Sequence, residues 1–78
     1  MWYSYALRSL KDGNLYIGIS ENLEKRLKQH NSGMTKSNRS RRPFEIIYKK
    51  GHKNRIEARM NEKYLKSGVG REFLKNII

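Results

Sequence analysis

Two short runs of apolar and aromatic residues flank an Asp-Gly pair, and this fixes the start of the chain as a β-hairpin. Residues 2–10 (Trp2-Tyr3-Ser4-Tyr5-Ala6-Leu7-Arg8-Ser9-Leu10) read as a strand, and Leu15 to Ile19 read as its return. Between them, Lys11-Asp12-Gly13-Asn14 is a turn, because Asp-Gly readily supplies the positive φ that tight hairpins need. Strand alternation puts Leu15, Ile17 and Ile19 on one side, with Tyr16 and Gly18 on the other. A turn centred on Asp12-Gly13 makes paired positions sum to about 25, so Tyr16 faces Ser9 and Tyr5 faces Ser20. Tyr5 and Tyr16 then share a face, about 13 Å apart at roughly 3.3 Å per residue.

The rest of the chain must complete a core with few residues. Its 78 residues include no cysteine, so neither a disulfide nor a thiolate zinc site can supplement packing. A chain this short buries only about 60–65% of the surface that its unfolded form exposes. One domain over residues 1–78 is expected. Ser20 reads as an N-cap, with Glu21 in the first turn of a helix that runs to about Asn31 and ends at Ser32-Gly33. Residues 34–43 form a basic, polar loop. Phe44, Ile46 and Tyr48 alternate with Glu45, Ile47 and Lys49, which indicates a third strand. Helical composition follows from about Lys53 to Ser67. Gly68 and Gly70 break it, and Arg71 to Ile78 form a closing helix with Phe73, Leu74, Ile77 and Ile78 inward. The expected fold is α/β of the α+β type, a small sandwich in the order β-β-α-β-α-α with a mainly antiparallel three-stranded sheet.

Charge narrows the partners. Lys and Arg number 18 against 7 Asp and Glu, a net charge of +11, and a field of this sign attracts polyanions. No stretch approaches the roughly 18 apolar residues of a membrane span, and the N-terminus lacks a signal-peptide pattern. A cytoplasmic protein with a nucleic-acid partner, no membrane and no small-molecule cofactor is the reading these features favour. A solvated basic surface of a ribonucleoprotein component is the competing one.

Several side chains stand out from a purely structural pattern. In the first helix the i, i+3, i+4, i+7 stripe is Leu23, Arg26, Leu27 and His30, which places a permanent cation and an imidazole at core-facing positions. An unpaired buried Arg costs several kcal/mol. The structural alternative is that Arg26 snorkels past the sheet edge and His30 bonds a loop carbonyl. Gly18 beside Tyr16 leaves room for something to approach the strand backbone. In the second helix Glu62 falls on the flank of Ala58 and Leu65, while Glu57 lies on the side nearer Tyr64. Arg59 and Lys66 stand at i−3 and i+4 from Glu62, so an ion pair and a substrate- or metal-facing carboxylate are both open roles. Lys36, Arg39, Arg41 and Arg42, interleaved with hydroxyl and amide side chains, are the usual donors to phosphate oxygens.

In this order and at these separations, the motifs make the chain similar to the GIY-YIG nuclease superfamily. The resemblance is greatest to its short single-domain bacterial branch, related to the catalytic N-terminal domain of the nucleotide-excision-repair excinuclease. Tyr3-Ser4-Tyr5 stands where the family has Gly-Ile-Tyr, and Tyr16-Ile17-Gly18 is the second half of the signature. Leu23 to Gly33 resembles the family's first helix, with its arginine at Arg26 and a frequent histidine at His30. Glu57 to Lys66 resembles the segment whose second glutamate, here Glu62, binds the divalent metal. Many members place an asparagine further on, and Asn76 is the late candidate.

The resemblance implies a metal-dependent endonuclease acting on DNA, with Mg²⁺ or Mn²⁺ on Glu62. Tyr5 or Tyr16 would help activate a water, Arg26 would steady the phosphoryl oxygens, and His30 would orient a neighbour or share a proton. The alternative is a non-catalytic nucleic-acid-binding module on the same fold. The sequence leaves the oligomeric state open.

Overall fold

The computed structural model describes residues 1–32 and 41–77. Its elements run β1 (Trp2–Ser9), β2 (Leu15–Ser20), α1 (Leu23–Asn31), β3 (Phe44–His52), α2 (Arg55–Lys66) and α3 (Gly68–Asn76). This is the expected β-β-α-β-α-α order of an α+β fold. The strands form one sheet in the order β2-β1-β3, with both pairings antiparallel. The central strand β1 is covered on both faces, so Ser4, Tyr5, Ala6 and Leu7 are buried in succession.

Each face has its own apolar cluster. On one side Tyr5, Leu7, Leu23 and Phe44 pack with Tyr16, Leu27 and Ile46, and α1 is the covering helix. On the other, Ala6, Leu65 and Leu74 pack with Leu15, Ile17, Ile47 and Tyr48 beneath α2 and α3. Burying the stem of Leu65 or Leu74 contributes about 1.5–3 kcal/mol each. None of the described helices is long and apolar enough to cross a membrane.

The hairpin register differs from the one expected. Tyr5 faces Gly18 and Leu7 faces Tyr16, so partners sum to 23 rather than 25. The cause is Ser9. Its N–H donates to the Asn14 carbonyl and its own carbonyl accepts from Gly13 N–H, both at 2.9 Å. Its hydroxyl oxygen then accepts from the N–H groups of Lys11 and Asp12 at 3.1 and 3.2 Å. A longer loop fills the gap, and Gly13 supplies its one left-handed residue at φ 77°.

Other boundaries also move. A bulge between Ala6 and Leu7 pairs Leu7 with Ile46 but Ala6 with Tyr48, which sends Tyr48 to the face opposite Phe44 and Ile46. The cap of α1 is Asn22, whose side chain accepts from Lys25 N–H at 3.0 Å. Ser20, the expected cap, instead accepts from Asn22 N–H at 3.1 Å and shapes the approach. Helix α2 starts at its Asn54 cap rather than at Lys53.

Gly68 and Gly70 do not separate two helices but begin α3, which Ser67 caps by accepting from Gly70 N–H at 3.2 Å. A side chain at Gly70 would drive its Cβ into the Tyr64 carbonyl, so glycine is what lets α3 fold back on α2. In α3 only Leu74, of the residues expected inward, is buried. Phe73 and Ile77 are exposed, and Ile78 lies outside the described residues.

Candidate active site

The corrected register brings Tyr5 and Tyr16 closer than the expected separation. Tyr16 is now the diagonal neighbour of Tyr5 on adjacent strands, a relation of about 7–8 Å between backbones. Tyr5 is only 3% exposed, and its ring lies across β2 over Gly18. A Cβ at Gly18 would come within 2.7 Å of the Tyr5 hydroxyl and 2.9 Å of Cζ. The group that approaches the bare backbone at Gly18 is therefore the chain's own tyrosine.

Helix α1 delivers the first cation. Leu23 and Leu27 turn inward, and between them Arg26 stays exposed while its Nε donates to the Tyr5 hydroxyl at 3.3 Å. The conflict in the helix stripe resolves as snorkelling: the stem lies on the cluster and the guanidinium stays wet. The remaining edge of that guanidinium reaches Gln29 Oε1 at 3.4 Å, a weak contact. His30, one turn on, is buried at 5% exposure with its ring edge-on to Phe44 at 5.6 Å.

Tyr16 is half-buried and meets the same Phe44 edge-on at 5.1 Å. Its hydroxyl accepts from Arg41 Nη1, and the Arg41 guanidinium carbon sits 5.9 Å from the ring centroid. Arg41 Nε also pairs with Asp12 Oδ2 at 3.3 Å, which links the loop to the hairpin turn. The hydrogen bond to Tyr16, with smaller help from Asp12, raises the Arg41 guanidinium above its ordinary value. Asp12 is held below the usual carboxylate range, first by the Asn14 N–H and then by the Ser9 hydroxyl and Arg41. Arg42 is exposed. Lys36 and Arg39 lie outside the described residues.

Glu62 belongs to the other layer. It is buried at 7% exposure beside Ala58 and Leu65 on the sheet-facing side of α2. Arg59 and Lys66 approach its two oxygens at 3.5 and 3.4 Å, so the ion pair open from sequence is present. These distances are longer than charge-assisted hydrogen bonds, and the carboxylate is not tightly engaged. Glu57 sits in the first turn of α2, where its N–H is capped by Asn54 at 2.9 Å. Asn76 ends α3 and is exposed. Among the described residues no three His, Asp or Glu side chains group as a metal cage.

Two features escape sequence reasoning. The Arg41–Tyr16 contact joins residues 25 apart in the chain, and no local pattern announces it. Beneath α2 lies a polar network: Asn61 Nδ2 donates to Ser4 Oγ at 2.6 Å and to the Tyr48 hydroxyl at 3.2 Å, and Ser4 Oγ lies 2.8 Å from His52 Nε2. Its sole trace in the sequence is Ser4, a hydroxyl within an otherwise apolar stretch of strand.

The fold agrees with what the chain is similar to. The GIY-YIG catalytic domain matches residues 1–76. A UPF0213 protein of Clostridium perfringens is 43% identical over 67 residues, covering 85% of this chain and 71% of that protein. One from Staphylococcus saprophyticus is 34% identical over 76 residues, covering 96% and 92%. The solution NMR structure of a UPF0213 protein from Bacillus halodurans superposes with a TM-score of 0.56 at 32% identity, covering 99% of this chain and 85% of that one. GIY-YIG domains have a nuclease-type fold and act on nucleic acids. This chain belongs to the GIY-YIG superfamily, in the branch represented by the small UPF0213 proteins.

Proposed function

We propose that the protein is a divalent-metal-dependent endonuclease that hydrolyses phosphodiester bonds in DNA. The observation that carries this reading is the pair of tyrosine hydroxyls on one face, each accepting from an exposed guanidinium. Exposed arginines with unused N–H donors are suited to phosphate oxygens, and more than one of them suits a polynucleotide backbone. The net charge of +11 supplies the long-range attraction.

Glu62 fits a metal of one kind. Mg²⁺ and Mn²⁺ take oxygen ligands, and Mg²⁺ commonly uses one or two carboxylates while keeping several waters. A single loosely engaged carboxylate suits that requirement. Such an ion, when bound, supplies positive charge at the scissile phosphate and its leaving oxygen. Glu62 approaches from the α2 side and the tyrosines from the α1 side, and β2 is an edge strand. A substrate strand lying along that edge could meet both.

Arg26 stabilises negative charge as it builds on the phosphoryl group, and its Nε–H holds the Tyr5 hydroxyl where it can orient the attacking water. Phe44 touches both His30 and Tyr16, so His30 fixes the wall against which Tyr16 stands.

The placement of Glu62 beneath the opposite layer also favours a second reading, a nucleic-acid-binding module without efficient cutting. Supercoiled plasmid incubated with Mg²⁺, Mn²⁺ or EDTA separates the two. Nicking that needs the metal, and that falls on Glu62→Ala and Tyr5→Phe, supports the nuclease. Salt-sensitive binding with no nicking in any metal sustains the binding module instead, and metal-independent nicking refutes the role of Glu62.

A further inference from the structure

Arg41 differs from an ordinary loop cation in how firmly it is held. Its backbone carbonyl accepts from the buried Ser9 hydroxyl, and two residues on, the Pro43 carbonyl accepts from Leu10 N–H at 2.9 Å. Its Nε pairs with Asp12, whose other carboxylate oxygen accepts from Asn14 N–H at 2.9 Å. The guanidinium is therefore fixed by the hairpin loop at the backbone and at the side chain. From that position it donates to the Tyr16 hydroxyl and lies against the Tyr16 ring. Among the described contacts none ties its neighbour Arg42 to a tyrosine.

We propose that Arg41 is a positioning residue for Tyr16, anchored by Asp12, so that the hairpin loop sets the orientation of the Tyr16 hydroxyl. This deepens the nuclease reading and rests on it. A phenol oxygen that accepts from Arg41 must aim its single proton elsewhere, on the side left open by the guanidinium. The fork of Arg41 spans two acceptors at once, Asp12 through Nε and Tyr16 through Nη1. A lysine carries the same charge but one compact ammonium, and it cannot reproduce that span. The remaining N–H groups of Arg41, on a side chain 47% exposed, are available to a phosphate oxygen of the substrate. The hairpin loop, Arg41 and the Tyr16 strand thus act as one unit, although only Tyr16 would touch the reacting atoms.

The test has a kinetic arm and a spectroscopic arm. Single-turnover nicking at saturating protein is compared for wild type, Arg41→Ala, Arg41→Lys, Asp12→Asn and Arg42→Ala. The saturated rate should fall about 10-fold more in Arg41→Ala than in Arg42→Ala. Arg41→Lys should not rescue it, and Asp12→Asn should fall between. Binding to duplex should weaken to a similar degree in Arg41→Ala and Arg42→Ala. Wild-type rate in Arg41→Lys would overturn the proposal by reducing Arg41 to a charge.

The Tyr16 ring signals in a ¹H–¹³C NMR spectrum need no catalysis. They should shift in Arg41→Ala and Asp12→Asn and stay in place in Arg42→Ala. Unmoved Tyr16 signals in both of the first two variants would overturn the link between Asp12, Arg41 and Tyr16. Wild-type protein that fails to nick would sink the nuclease reading, while the ring signals still decide that link.

Discussion

Under α2, the buried Ser4 hydroxyl and the half-buried side chains of Tyr48, His52 and Asn61 bond to one another. Under α1, the hydroxyls of Tyr5 and Tyr16 end instead on Arg26 and Arg41, two exposed cations. Both faces of the same sheet therefore carry phenols or hydroxyls at depth, yet only one connects them to solvent through a charge. A network whose members bond to one another serves to lock β1, β3 and α2 in register. An open one can exchange part of its hydrogen bonding for a phosphate. The difference separates structural polarity from functional polarity without reference to any one residue type, since each face includes a tyrosine.

Gly18→Ala attacks the comparison hardest. Its Cβ would meet the Tyr5 hydroxyl and Cζ at 2.7 and 2.9 Å, so the ring must leave its place over β2. A cost of about 1–3 kcal/mol in urea unfolding is expected. Nicking should fall as far as it does in Tyr5→Phe, because the Arg26 contact moves with the ring. Preserved nicking would show that the position of Tyr5 is unimportant.

Asn61→Ala probes the closed network and should cost about 1–2 kcal/mol, since a buried Ser4 loses a donor and Tyr48 loses another. Duplex binding and its salt dependence should be unchanged in this variant. Altered salt dependence would mean that the Ser4–Asn61–Tyr48 network also contacts the duplex.

The smallest effect concerns pH. The folded state holds the Asp12 carboxyl below its usual range, so its stabilising contribution is complete above the unfolded value, near about 3.9. That contribution is lost as pH falls through the still lower folded value. The gap in urea midpoint between wild type and Asp12→Asn should therefore persist at pH 6 and close as the pH drops below about 4. A gap that widens on acidification would contradict the assignment.

The sequence made the architecture legible because each element carries its own signal: the Asp-Gly turn, the helical stripe of Leu23 and Leu27, and the alternation after Phe44. What it could not convey was register. Asp12-Gly13 suggested a tight two-residue turn, but the Ser9 hydroxyl holds a longer loop, and only tertiary contact with Arg41 completes it. That shift in pairing is what brings Tyr5 over Gly18 and beside Tyr16. Arg26 in a buried stripe left snorkelling and a functional cation both open from sequence, and in the structure its guanidinium is exposed and donates to Tyr5. Of the residues expected inward in α3, Leu74 is buried in the sheet cluster, Phe73 stays exposed while meeting Tyr48 edge-on at 5.8 Å, and Ile77 is exposed, because α3 folds back on α2 at Gly70. Helix periodicity placed Glu62 correctly on the flank of Ala58 and Leu65, yet it says nothing about which side of the sheet that flank covers.

The most direct test of the division between an open and a closed face is the plasmid-nicking rate per folded molecule in Arg26→Ala and Asn61→Ala, measured in Mg²⁺ at saturating protein. The account predicts a loss of about 10²-fold or more for Arg26→Ala, with its urea midpoint close to wild type, and a wild-type rate for Asn61→Ala. A wild-type rate in Arg26→Ala, or loss of nicking confined to Asn61→Ala, would contradict it.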